Sequence, residues 1–309
     1  MLHLRVIAPA ELGDSVIEAL SEHPGVAHLV VHRGDALDPP GDEITADIAR
    51  ESANEIIEAL KALGVKEKGA ITLDVVDTVL STRAYRAEEE AAGDPADAVV
   101  WDELATRTRE ESTLNVTFLT FLCLACLIAA VGVVTDSPVT VVGAMVVGPE
   151  FGPLAALAVA LVRRKTYLAR RAALALAVGF PFAMLVTAIG VLAGEAVGWI
   201  ELTSTRALDQ VDFIFRVGPL SFVVALFAGA AGMLSLVSAK SAALVGVFIS
   251  VTTVPAAGFA VVAATVGDWD IAAESAAQLA VNLVGIVLAG ILVLWVRRVA
   301  DGRHWHVAG

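Results

Sequence analysis

Two kinds of patterning divide the chain. In the first 80 residues apolar positions alternate in short runs. Leu2-His-Leu-Arg-Val-Ile-Ala8 reads as a strand, and Leu12, Val16, Ile17 and Leu20 form a helical stripe that His23-Pro24-Gly25 ends. Val26–His32 alternates again, Asp38-Pro39-Pro40-Gly41 makes a turn, and Ile44, Ala46 and Ile48 share one face. A second helical stripe, Ile56, Ile57, Leu60 and Leu63, stops at Gly64 as a C-cap, and Ile71, Leu73 and Val75 point inward from a fourth strand. The order βαββαβ predicts a small α+β, ferredoxin-like domain over 1–80: an antiparallel sheet with two helices on one face. Its other face would carry His3, Arg5, His28, His32, Thr45, Asp47, Thr72 and Asp74. Such a face is polar enough for a small ligand, and equally suits a solvated surface or a subunit contact.

After residue 113 the period disappears into long apolar runs. A spanning helix needs about 20 apolar residues. Six windows meet this: Leu114–Thr135, Pro138–Val162, Ala172–Val197, Phe213–Val237, Ala242–Val266 and Ala276–Val296. Between the two regions, 81–113, Glu88-Glu89-Glu90 and Gly93-Asp94-Pro95 read as an exposed linker. Ala98–Ser112 reads as an amphipathic helix, with Trp101 either at the membrane interface or packed on the N-terminal domain. The predicted architecture is a cytoplasmic α+β domain (1–80), this connection, a six-helix membrane domain (114–298) and a short tail (299–309).

Charge orients the spans. Residues 1–100 hold 20 Asp and Glu against 8 Lys and Arg, so nearly all of the net −13 lies there. That balance excludes nucleic acid and anionic lipid as partners of the domain, because phosphate recognition needs Lys and Arg. No secretory leader is visible in residues 1–20, so the N-terminus is expected in the cytoplasm. The loop Arg163–Arg171 holds five basic residues, Lys240 lies in the fourth loop, and Arg297, Arg298 and Arg303 follow the last span. The intervening loops hold Asp136, then Glu201, Asp209 and Asp212, then Asp268 and Asp270. Basic residues fall on one side throughout, which predicts six spans in a prokaryotic plasma membrane with both ends cytoplasmic.

Shifting the first three spans by about 103 residues lays them on the last three, and Gly143 falls on Gly246. One half begins inside and the other outside, the mark of an inverted-topology repeat. The middle span of each half is interrupted, by Gly148-Pro149-Glu150-Phe151-Gly152-Pro153 in one and by Ser250-Val-Thr252-Thr253-Val-Pro255-Ala-Ala-Gly258 in the other. Proline removes a helical N–H and clashes with the preceding turn, so each segment is expected to unwind at mid-depth. Matching breaks are the best sequence pointer to a transport site. A charged residue at the bilayer centre costs roughly 2.5–3.5 kcal/mol on insertion scales. Glu150 therefore reads as a proton carrier, a cation ligand or the partner of a cationic substrate, or else as a structural carboxyl. Asn282 in the sixth window is expected to bond across helices, and Gly190-x-x-x-Gly194-x-x-x-Gly198, Gly229 and Gly232 permit close helix contact, with a homo-oligomer expected.

The run Gly143-Ala-Met-Val-Val-Gly-Pro149 through Gly152-Pro153, with Arg109-Glu-Glu-Ser112 before the first span, Gly246-Val-Phe-Ile-Ser250 and Asn282, resembles the DUF389 family of prokaryotic membrane proteins. The resemblance covers about Arg109 to Trp295 and implies the membrane architecture. It implies no substrate and no cofactor. The chain departs from the family pattern at Glu150, where an apolar residue is usual, and at Pro255, where a proline pair is usual.

The function expected from these features is a secondary transporter or channel-like protein for a small solute or ion, with a cytoplasmic sensing or gating domain. The alternative is a membrane-anchored sensor or scaffold that transports nothing. Enzymatic activity is not expected: there is no metal-ligand cluster, nucleophile elbow or P-loop. Cys123 and Cys126, inside an apolar run, read as packing residues.

Overall fold

The computed structural model describes residues 1–91, 93, 98–202, 204–205, 208, 218–238 and 252–304, with Pro219 and 300–304 described by backbone alone. The described chain forms two compact units, one from Met1–Leu104 with Val299–Gly309, the other from Ala105–Arg298.

In the first unit, β1 (Leu2–Pro9), α1 (Ala10–Ser21), β2 (Val26–Leu37), β3 (Pro40–Ile48), α2 (Ala53–Ala62), α3 (Val65–Lys68) and β4 (Ala70–Val75) follow one another. The four strands form one sheet in the order β2-β3-β1-β4 with every pair antiparallel. A split βαββαβ pattern produces this order. Leu2, Leu4, Val6 and Ala8 of β1 and Ile44, Ala46 and Ile48 of β3 bury one face against Val16 and Leu20 of α1 and Ile56, Ile57 and Leu60 of α2. Gly64 ends α2 at φ 84°, a conformation that costs glycine nothing. Three features depart from expectation. Val75 is 58% exposed rather than inward. β2 carries a register shift between Ala27 and Val30, with His28 at φ 50°. Glu88–Glu90 are not linker: they close α4 (Thr82–Glu90), whose Ala84 and Ala87 are buried. α5 (Trp101–Glu111) follows, and Trp101 is 7% exposed with its backbone N–H donated to Asn54 Oδ1 at 3.1 Å, so it packs in this unit instead of at an interface.

The second unit holds α6 (Val116–Val134), α7 (Pro138–Val147), α8 (Phe151–Arg163), α9 (Thr166–Ala196), α10 (Pro219–Val237), α11 (Thr253–Thr265) and α12 (Trp269–His304). Among the described residues four helices, α6, α9, α10 and α12, are long and apolar enough to cross a bilayer. α7 and α8 together make a fifth candidate, bent by 52°. The expected fifth window, 242–266, is described only from Thr252 onward and gives the shorter α11. Leu174, Val178, Phe182, Leu185, Ile189 and Leu192 expose an apolar stripe along α9, a surface suited to lipid and not to water. Tyr167, Trp199, Trp269 and Trp295 stand exposed at or near the ends of the apolar spans, as interfacial aromatics do.

Three pairs of described helices correspond in length or spacing. α6 and α10 are both 19 residues and start 103 residues apart. α8 and α11 are both 13 residues. α9 and α12 again start 103 residues apart. The turns that end α8 and α11 repeat in detail. Arg164 and Gly267 are left-handed, at φ 55° and 85°, and Lys165 N–H and Asp268 N–H reach back to Ala160 and Ala263 carbonyls, each at 2.9 Å.

Candidate functional site

The break in the α7–α8 segment comes from Gly148 and Pro149. Gly148 is extended (φ −64°, ψ 128°), and Pro149 has no N–H to give the Met145 carbonyl. Pro153 acts otherwise than expected. It lies in the first turn of α8, where a missing N–H is tolerated, and it starts a helix instead of interrupting one. Pro255 holds the same place in α11. The sequence motifs therefore mark two helix N-termini inside the apolar region.

These N-termini meet. Glu150, the residue before α8, is 3% exposed, and Thr253, the first residue of α11, is fully buried. The Thr253 hydroxyl donates to Glu150 Oε1 at 2.5 Å. Thr252 Oγ1 accepts from Asn282 Nδ2 at 2.7 Å, and Asn282 Oδ1 accepts from Gln278 Nε2 at 3.0 Å. One polar chain thus runs from α12 to Thr252, next to the Thr253–Glu150 pair. Beside it, among the described residues, Glu150 Oε2, Gln278 Oε1 and Ser275 Oγ are buried without a hydrogen-bond partner. Buried polar atoms are rarely left so.

A cavity of about 370 Å³ lies against the same break, lined by Glu110, Glu111, Asn115, Gly148, Pro149 and Gly152 among others. A Cβ on Gly152 would fall 2.7 Å from Glu111 Cβ, and one on Gly148 would fall 2.3 Å from Glu150 Oε2. Gly148 therefore separates cavity from carboxylate with backbone alone. Burial pushes the Glu111 carboxyl up from its ordinary range, with Arg107 opposing.

Of the expected membrane residues, Gly148, Pro149, Glu150, Gly152, Thr252, Thr253 and Asn282 come together around the break. Pro153 and Pro255 serve as helix starts. Gly258 does not belong: it faces α6, where a Cβ would meet Ala129 at 2.7 Å. Ser250 lies outside the described residues. Gln278 and Ser275 were missed. Their signal is the spacing Ser275-x-x-Gln278-x-x-x-Asn282, which puts three polar groups on one helix face. Gly190 makes its close approach to Leu127 and Gly229 to Ile286, both within the chain, whereas Gly198 ends α9 at φ 78°. Cys123 and Cys126 are free and buried in α6.

On the sheet, the structure joins His3, His28 and Asp47. Both Nδ1 atoms meet the Asp47 carboxylate, at 2.8 and 2.7 Å. β1 and β2 do not pair, and β3 between them carries the shared partner. Partial burial would raise Asp47, but the hydrogen bonds from His28 and His3 outweigh it and hold the carboxyl below its usual range. Arg5 and His32 stand apart, on Glu43 at 3.1 Å and Asp35 at 3.6 Å, and Thr45 joins neither group. His28 Nε2 also meets Ser81 Oγ at 2.7 Å. Ser81–His28–Asp47 has the connectivity of a nucleophile, base and orienting carboxylate. The Ser81 oxygen, however, caps α4 by accepting from Arg83 and Ala84 N–H at 3.2 and 3.4 Å, so its lone pairs are engaged and it pins α4 to the sheet. Among the described residues no group of three His, Cys, Asp or Glu side chains is placed to hold a metal ion.

Parts of this chain are similar to known proteins. The uncharacterized protein MJ0678 of Methanocaldococcus jannaschii is 24% identical over 220 residues, covering 71% of this chain and 66% of that protein, just under two thirds of its length. No solved structure matches. A family model described as a domain of unknown function, DUF389, matches residues 145–288, the stretch that holds the break, the Glu150–Thr253 contact and Asn282. Residues 145–288 thus match the DUF389 family model, as the Gly143–Pro153 run led us to expect.

Proposed function

We propose that this chain is a secondary transporter or channel-like protein of the prokaryotic plasma membrane, moving a small solute or ion through a site at the α7–α8 break. Two inverted three-helix halves form its membrane domain, and its N-terminal unit senses a ligand or gates the path from the cytoplasm. One observation carries the reading. Glu150 is hydrogen-bonded to Thr253, its own counterpart 103 residues on. Repeats related by a two-fold axis touch residue-to-counterpart only where they meet that axis. Here the contact lies between the N-termini of two half-length helices in apolar surroundings, the usual construction of a transport site.

Charge supports the inversion. The turn after α8 carries Arg163, Arg164 and Lys165, and its counterpart after α11 carries Gly267, Asp268 and Asp270. Identical turns with opposite charge suit opposite sides of a membrane. In the N-terminal unit a cavity of about 260 Å³, lined by Met1, Leu80, Tyr85 and Glu88 among others, offers room for a small ligand.

The test is reconstitution into proteoliposomes. Wild-type protein is expected to move an ion or solute down an imposed gradient, and Glu150→Gln to change that flux. A cysteine placed at Arg164 should react with an impermeant thiol reagent from the side opposite one placed at Gly267. Both reacting from one side removes the inverted halves. Flux that no variant at Glu150, Thr253 or Asn282 alters removes the site, and binding by the N-terminal unit without any flux favours the anchored sensor.

A further inference from the structure

We infer that the break binds a monovalent alkali cation, with Glu150 Oε2 as its anionic ligand and the Asn282–Gln278–Ser275 face of α12 as its polar approach. The inference rests on the transport reading above and names the class of ion that its site takes.

The donor set is the first argument. The side-chain atoms left open on Glu150 and on the α12 face include a carboxylate oxygen, Glu150 Oε2, and an amide oxygen, Gln278 Oε1, both acceptors; the third, Ser275 Oγ, can accept or donate. Two further oxygens are released from helical bonding, because residues 149 and 153 are prolines and cannot donate to the Met145 and Pro149 carbonyls. Carboxylate, hydroxyl, amide and unwound carbonyl oxygens are ligands for a hard cation. An anion would meet the Glu150 carboxylate directly and would find the open side-chain acceptors facing it.

Net charge decides the valence. Among the described residues, the N-termini of α8 and α11 each contribute about +0.5, the C-terminus of α7 about −0.5 and Glu150 one full negative charge. The residue is about −0.5, which holds a monovalent ion and is too little for a divalent one without further carboxylates. Among the described residues no second acidic side chain joins the cluster, because Glu110 and Glu111 line the cavity on the far side of Gly148. There the two carboxylates attract a cation towards the glycine wall. On the α12 side, Ser275, Gln278 and Asn282 continue the polar surface, all buried. The cation thus has an acidic vestibule on one side of Glu150 and a neutral polar run on the other.

The experiment uses the full chain purified in detergent and follows thermal unfolding in LiCl, NaCl, KCl and N-methyl-D-glucamine chloride at one ionic strength. At least one alkali chloride is expected to raise the midpoint saturably over the organic cation. Glu150→Gln should lose this dependence. Thr253→Val, which removes the hydroxyl that orients the carboxylate, should weaken the apparent affinity by about tenfold. Gly148→Ala puts a methyl into the space beside Oε2 and should also abolish it, so the idea stays testable if Glu150→Gln fails to fold. Equal midpoints in all four salts, or a salt preference that survives Gly148→Ala and Glu150→Gln, overturns the site. Ion binding without flux in proteoliposomes would remove the transport reading and leave the site. Flux with no alkali dependence would do the reverse.

Discussion

Gly258→Ala probes how α11 is held against α6, and through it the position of Thr253. A Cβ at 258 would lie 2.7 Å from Ala129 Cβ, 3.1 Å from Ala130 N and 3.2 Å from Cys126 O. Carbon atoms pack best at about 3.5–4.0 Å, so the nearest contact is short by about 1 Å. None of the three atoms is the end of a flexible side chain, and the helices must separate. Overpacking of this kind costs about 1–3 kcal/mol, while replacing a helical glycine returns about 1 kcal/mol. Gly143→Ala isolates the contact, because Gly143 is exposed on α7 with nothing among the described residues within 4 Å of its Cβ position. It should gain up to about 1 kcal/mol with no clash. The difference between the two variants, about 1–3 kcal/mol, is the packing term alone. At about 2–4 °C per kcal/mol for a domain of this size, the midpoints should separate by roughly 2–12 °C in detergent, with Gly258→Ala the lower. The α11 shift should also reduce flux in proteoliposomes, because the 2.5 Å Thr253–Glu150 bond depends on it. Midpoints that agree, or that separate in the opposite order, refute the argument.

Other expectations follow from single contacts. Asn282→Leu should leave Thr252 and Gln278 without partners and cost about 1–3 kcal/mol, and its effect should be non-additive with Thr252→Val in a double-mutant cycle of unfolding midpoints. Ser81→Ala removes the α4 cap and the His28 bond and should cost about 1 kcal/mol, read as faster hydrogen exchange in Thr82–Glu90. Asp47 sits below its ordinary range when folded, so its contribution is complete above its unfolded value, about 3.9, and is lost as pH falls through the lower folded value. Asp47→Asn should therefore flatten the wild-type loss of midpoint below about pH 4; an unchanged acid profile contradicts the assignment. Gly229→Ala places a Cβ 2.7 Å from both Ile286 Cα and O and should lower the midpoint by a similar amount to Gly258→Ala, measured in the same way.

What the sequence made legible is what its periods encode. Alternation in Leu2–Ala8 and Glu43–Ala49 reveals two strands, and the apolar windows reveal helices, because burial on one face or all round leaves a period or a run. α4 left neither signal: its buried positions are Ala84 and Ala87, small residues among Arg and Glu, too weak to stand out from a charged connection. The His28 bulge was equally silent, since an extra residue in a strand changes register without changing composition. Pro149 was read correctly as marking the α7–α8 break, while Pro153 and Pro255 were read incorrectly as to their action. Proline chemistry is the same in either role, and only the helix boundary tells whether a missing N–H interrupts a helix or begins one. The convergence of Glu150 and Thr253 required the 103-residue offset to be carried down to single positions, where Glu150 falls on Thr253 and not on a similar residue.

That mismatch bears on mechanism. By the same offset, Ser275, Gln278 and Asn282 of α12 correspond to Ala172, Ala175 and Gly179 of α9, and all six are buried. The two helices bury one equivalent face, apolar in the first half and polar in the second. The carboxylate shows the opposite assignment: Glu150 belongs to the first half, and its counterpart is a hydroxyl. A repeat kept only for packing would favour apolar residues in both halves, because each buried polar group in lipid needs a partner. Here the costly groups are divided so that the charge comes from one half and the neutral hydrogen-bonding surface from the other, and they meet where counterparts touch. Movement of one half against the other would then break the Glu150–Thr253 contact and separate the charge from its polar run. On the function proposed above, transport through such a site would follow from relative motion of the halves with little rearrangement within either, and crosslinking α8 to α11 through cysteines at Phe151 and Val254 should stop it.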